Sequence, residues 1–84
     1  MYTDEDALRF SGKLLVRTGH FHDECYGKYR KSLHFALELL ETGTHRRESR
    51  EKVRVIKPSK DCPWELVYAE TGSEIVLIHM KRRR

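Results

Sequence analysis

The chain has 84 residues, 38% hydrophobic and 36% charged, with a formal net charge of +4. A chain of this length makes a single domain over residues 1–84 and buries only ~60–65% of its unfolded surface, so its core is thin and a homodimer formed over an apolar face is an ordinary remedy. No apolar run approaches the ~18 residues of a membrane span, and the acidic start Thr3-Asp4-Glu5-Asp6 has the wrong charge for a signal peptide, so a cytoplasmic protein with no membrane partner is expected.

Charge is unevenly spread. Residues 1–42 hold six Lys/Arg against seven Asp/Glu, for −1, whereas residues 43–84 hold eleven against six, for +5. A basic half suggests a nucleic-acid or other acidic partner, and equally fits a solvated surface. Cys25 and Cys62 form neither a C-x-x-C pair nor a dense framework; reduced thiols are the default reading and a single disulfide the alternative.

Taken in order, Thr3-Asp4-Glu5-Asp6 fits a capping box and predicts a short helix over residues 4–10. A hairpin of residues 7–10 and 13–16 about Ser11-Gly12 competes with it. Lys13-Leu14-Leu15-Val16-Arg17 reads as a strand, stopped at Thr18-Gly19. With Asp23 as N-cap, the apolar stripe Tyr26, Tyr29, Leu33, Ala36, Leu37 and Leu40 predicts one long helix, ended by a left-handed Gly43. The polar run from His45 to Glu51 reads as an exposed connection or the start of a strand, and Lys52-Val53-Arg54-Val55-Ile56-Lys57 alternates as a strand with a basic outer face. Pro58 and Pro63 bracket a turn.

Residues 64–80 then form two apolar runs about Glu70-Thr71-Gly72-Ser73, a hairpin pattern. Folding at Thr71-Gly72 pairs Tyr68 with Ile75, Leu66 with Leu77 and Trp64 with His79, and puts these six on one face. The expected fold class is a two-layer α+β domain in the order β-α-β-β-β, one main helix packed on a mainly antiparallel sheet, with a short N-terminal helix in front as an option.

Several clusters carry candidate chemistry. His20, His22 and Cys25 offer three metal-binding side chains within six residues, with Asp23 or Glu24 as oxygen donors, but His45 or Cys62 would have to complete the shell and no second ligand pair stands at a recognised spacing; a polar loop before a helix explains them better, and no metal or cofactor is assigned. Cys25 near a helix start is better explained as a structural thiol than as a nucleophile. Tyr26-Gly27-Lys28-Tyr29-Arg30-Lys31 interleaves rings with cations as nucleic-acid surfaces do, although both tyrosines fit the helix's apolar stripe. At the end of the last strand His79, Lys81 and Arg82 make a workable kit for RNA cleavage: one group moves a proton while cations offset the developing phosphorane charge. Arg46, Arg47, Arg50 and Arg54 are the candidate phosphate contacts.

The segment W-E-L-V-Y-A-E-T-G-S-E-I-V-L-I-H-M-K-R-R resembles the last two strands of the RelE/ParE-like small toxins, including the BrnT branch. There, a strand of the form Y-R-L-V-Y passes through a short acidic or glycine turn into one of the form I-V-I-L-x-x-x-R-R. The resemblance implies an mRNA interferase, usually ribosome-dependent, or a gyrase-directed relative, held inactive by an antitoxin. Glu65 stands where those toxins often place arginine, no tyrosine follows Arg82, and one long helix replaces their two-helix hairpin. The expected function is that of an RNA-directed small basic protein, as a RelE-like and metal-independent endoribonuclease, with RNA or the ribosome and an antitoxin as partners. The alternative is a non-catalytic protein-interaction module, such as a small phage or plasmid regulator or inhibitor.

Overall fold

Strand pairing begins at Ser11-Gly12, where both residues have positive φ, 57° and 80°, the mirror-image turn that matches the twist of a tight hairpin. The turn joins β1 (Arg9–Phe10) to β2 (Lys13–Arg17), with Phe10 opposite Lys13. These elements belong to a computed structural model that describes residues 8–58 and 63–82. Of the two readings of the chain start, the hairpin therefore forms. The capping box at Thr3 and the first part of the expected helix lie outside the described residues.

Two short helical segments follow. Thr18 caps α1 (Gly19–His22): its Oγ1 accepts from the amide of Phe21 at 3.1 Å and donates to the carbonyl of Leu77 at 2.9 Å. Thr18, not Asp23, is thus the N-cap. α1 runs into a π-helical segment (Asp23–Lys28), which ends where Arg30 turns left-handed at φ 56° and the Lys31 amide reaches back to the Cys25 carbonyl at 2.7 Å. The chain restarts as α2 (Leu33–Thr42), whose first amide donates to the Tyr26 hydroxyl at 3.1 Å. The expected long helix is therefore broken at residues 29–32. Its apolar period continues on both sides of the break, so periodicity could not reveal it. Gly43 is extended (φ −84°, ψ 172°), not left-handed; a Cβ there would lie 2.6 Å from Val55 Cγ1 and 2.7 Å from the Leu39 carbonyl, so close approach demands glycine.

The polar run after Gly43 is a strand, β3 (Thr44–Arg47), paired antiparallel with β4 (Lys52–Lys57). β5 (Trp64–Glu70) and β6 (Glu74–Arg82) complete a six-stranded sheet in the order β1-β2-β6-β5-β4-β3. β2 runs parallel to β6, Leu14 facing Glu74 and Arg17 facing Leu77; the other pairs are antiparallel.

This corrects the expected fold class. Strands make up 46% of the described residues, and the mixed sheet curls into a half-barrel instead of serving as one layer beneath a single helix. Strand twist and a bulge in β6 supply the curl. Leu15, Val53, Val55, Leu66, Tyr68, Ile75, Leu77 and Met80 fill its inner face, where Phe21 of α1 and Leu33, Ala36, Leu39 and Leu40 of α2 join the same core. No helix among the described residues is long and apolar enough to cross a membrane.

At the rim of this core the exposed His45 has Nε2 2.7 Å from the Leu40 carbonyl and Nδ1 3.0 Å from the Tyr68 hydroxyl. The carbonyl can only accept, so Nε2 carries a proton, and in the neutral ring Nδ1 accepts from Tyr68. Burial raises the Tyr68 phenol above its usual 10. A folded-state value above the unfolded one means stability that is complete below about pH 10 and is lost as pH rises through the folded value. The melting temperature of the wild type should accordingly fall more steeply above pH 10 than that of Tyr68→Phe. Parallel curves for the two proteins would remove Tyr68 as the source of alkaline unfolding.

Candidate functional site

The position of the site depends on the β6 bulge. Pairing steps from Val67–His79 to Tyr68–Leu77, leaving Ile78 as the extra residue. The hairpin forms where expected, but its register differs: Glu70, not Tyr68, faces Ile75, and Trp64 faces Arg82. Beyond the bulge the alternation inverts. Met80 takes the inward place opposite Leu66 and is fully buried, whereas His79 turns to the outer face opposite Val67.

On that outer face one cross-strand row reads Arg46, Arg54, Val67, His79, because the pairs Arg46–Arg54, Arg54–Val67 and Val67–His79 are in register. Lys81, opposite Glu65, shares the face. The fold thus gathers four of the sequence-chosen residues on one side of the sheet: Arg46, Arg54, His79 and Lys81. It sets three apart. Arg82 pairs with Trp64 on the inner side, Arg47 pairs with Val53 on the inner side, and Arg50 lies in the β3–β4 turn.

Not every cation is available. Arg54 ion-pairs through Nη2 with Glu48 at 2.9 Å and through Nη1 with Glu65, whose residue is only 3% exposed. The Arg54 hydrogen bond holds the Glu48 carboxyl below its usual range, and Arg54 itself is raised by the same bond. Removing Arg54 would leave the buried Glu65 carboxylate without its guanidinium, so its first role is structural. Arg47 donates to the carbonyls of Ser49 and Arg50 and lies 3.9 Å from Glu70, whose carboxyl is lowered chiefly by its hydrogen bond from Lys13.

The C-terminal half of β6 extends past the end of β2, so its outward amides need other acceptors. The π-helical segment and Tyr29, which follows it, supply them: Met80 N donates to Glu24 Oε1 at 3.0 Å and Arg82 N to the Tyr29 hydroxyl at 3.3 Å. This edge cover brings Glu24 beside His79, with Nδ1 2.9 Å from Oε1, and stacks His20 on His79 at 5.6 Å between ring centroids. His20 Nε2 lies 3.4 Å from the same Glu24 oxygen.

Sequence reasoning grouped His20 with His22 and Cys25, and the fold separates them. His22 stacks on Tyr26 at 4.7 Å, and the buried Cys25 thiol donates to the carbonyls of Lys31 and Ser32 at 3.5 and 3.6 Å. Of the two oxygen donors named beside that cluster, Asp23 and Glu24, it is Glu24 that meets His20, one helical turn away, and His79 could be joined to them only through the topology. At the inner end of the same strand Tyr29, Phe35 and Trp64 meet edge to face, and Arg82 lies 5.8 and 5.9 Å from the rings of Tyr29 and Trp64. Lys28 and Lys31 lie over Tyr29 and Phe35 respectively. No ligand-sized cavity exists among the described residues, so the candidate site is an open surface.

The chain matches no family model, no curated protein and no solved structure.

Proposed function

We propose that this is a cytoplasmic RNA-directed protein that engages RNA across the outer face of the sheet, in the manner of a RelE-like mRNA interferase held in check by an antitoxin. The observation that carries the reading is the cross-strand row from Arg46 through Arg54 to His79, with Lys81 on the same face. Adjacent strands lie ~4.8 Å apart, so the row spans about 14 Å, enough for two or more phosphates.

In this reading Arg46 and Lys81 hold phosphates, and Arg82 with the Tyr29–Trp64 rings receives a base at the strand end. His79, oriented by the Glu24 carboxylate at Nδ1, assists removal of the 2′-hydroxyl proton as that oxygen attacks phosphorus. Lys81, on the same face as His79, offsets the charge that develops on the phosphorane, and the departing 5′-oxygen takes a proton from solvent.

Binding of a labelled single-stranded RNA, followed by anisotropy against salt, tests this. Each lost phosphate contact should shallow the log–log salt slope by roughly 0.7. Arg46→Ala and Lys81→Ala should each do so with the fold intact, whereas Arg54→Ala should lower the melting temperature as well. His79→Ala should spare binding and abolish cleavage, and expression without an antitoxin should arrest growth. Absence of both RNA binding at low salt and growth arrest would overturn the proposal. The protein-interaction reading would then take its place, favoured by one observation: on the outer face Leu14, Val16, Val76 and Ile78 remain only half-buried beside the basic row.

A further inference from the structure

The histidine–carboxylate cluster at the β6 edge has the dimensions of a coordination site. Its three donor atoms form a compact isosceles triangle: His20 Nε2 to Glu24 Oε1 3.4 Å, His79 Nδ1 to Glu24 Oε1 2.9 Å, and His79 Nδ1 to His20 Nε2 3.4 Å. Zinc bonds of about 2.0–2.1 Å in tetrahedral geometry require donors about 3.3 Å apart. A cation about 2.05 Å from all three atoms would stand roughly 0.8 Å out of their plane, close to the roughly 0.7 Å of a regular tetrahedron.

We propose that His20 Nε2, Glu24 Oε1 and His79 Nδ1 bind one zinc-class divalent cation, leaving the fourth position open to solvent. The assignment departs from the metal-free reading of the sequence and uses neither His22 nor Cys25. Two imidazoles and one carboxylate suit zinc and its late first-row neighbours over magnesium or calcium, which prefer all-oxygen shells. Three protein donors with an open position is the pattern of catalytic zinc, not of closed structural sites.

The fold holds the donors in place before any cation arrives. His20 and Glu24 lie one turn apart on a helical segment that Thr18 both caps and ties to the Leu77 carbonyl. The Met80 amide bonds the coordinating oxygen of Glu24 at 3.0 Å, the kind of outer partner that orients a carboxylate ligand. His20 is the most exposed of the three and gives the cation a path from solvent. With the cation bound His79 no longer accepts a proton, and the solvent molecule in the fourth position takes over that role.

The test uses the untagged full chain, stripped with a chelator and then equilibrated with zinc or cobalt(II). Elemental analysis after desalting should find about one equivalent of zinc, with a higher melting temperature than the stripped protein. The cobalt form should show the visible bands of a four-coordinate nitrogen–oxygen site and no thiolate charge-transfer band. His20→Ala, at an exposed position, should stay folded and lose affinity by more than the ~10–100-fold that a missing outer partner costs. Glu24→Gln should lose it too, while still offering an oxygen to the Met80 amide; the double variant Cys25→Ser with Cys62→Ser should retain it. Substoichiometric zinc in the wild type, unchanged affinity in His20→Ala, or a thiolate band in the cobalt spectrum would each overturn the assignment. None of these readouts involves RNA, so failure here and failure of the RNA reading are separate results.

Discussion

Met80→Lys should unfold the protein, whereas His79→Lys should leave it folded. Met80 has no exposed surface and packs opposite Leu66, so a lysine there must bury an uncompensated ammonium. An uncompensated buried charge costs about 3–5 kcal/mol. At roughly 0.05–0.15 kcal/mol per residue, a domain of this size has about 4–13 kcal/mol in total, so the loss is a large share of it. His79 lies on the outer face beside the Glu24 carboxylate, where a cation is welcome. Denaturant midpoints and far-ultraviolet circular dichroism read the contrast directly. A hairpin without the Ile78 bulge would reverse it, because His79 would then share the inward face with Leu66 and Leu77. Destabilisation by His79→Lys with tolerance at Met80 would therefore refute the register.

Phe21→Ala should cost about 3–5 kcal/mol, the range for deleting a buried aromatic ring. Phe21 is the one buried residue of α1, with no exposed surface, and it ties the segment to the core. Its loss should also loosen the edge cover that follows it, because Glu24 and Tyr29 accept the Met80 and Arg82 amides only while the helical segment stays docked. In native-state hydrogen exchange those two amides should gain more than Val53 and Leu66 in the sheet interior. Equal gains everywhere would show that α1 opens only with the whole fold.

What the sequence made legible followed from local chemistry. The strand Lys13–Arg17, the strand Lys52–Lys57 and the C-terminal hairpin all carry alternation or dense apolar runs, and all three form. β3 was missed as a definite strand because Thr44–Arg47 is exposed throughout and has no apolar face to announce it. The helix break was hidden because Tyr26 and Tyr29 suit an apolar stripe, yet their hydroxyls serve the amides of Leu33 and Arg82. The bulge was the costliest omission. One extra residue, Ile78, exchanged the roles of His79 and Met80, and with them the face on which the candidate chemistry sits. The gathering of Arg46, Arg54, His79 and Lys81 depends on strand order, which no local pattern encodes.

The parallel pairing of β2 with β6 sets a timetable for folding. Leu14 lies against Glu74 and Arg17 against Leu77, so the inner face of β2 meets its partner only after nearly the whole described chain exists. A nascent polypeptide on the ribosome can form the β1–β2 turn and helical stretches early, but Leu15 and Phe21 must wait for Ile75 and Leu77 to emerge from the exit tunnel. Contacts so distant in sequence carry a large loop-closure cost and slow the search. During that interval the unpaired edge of β2 is open to other chains, which makes early capture by a chaperone or a bound partner most valuable while synthesis is still under way.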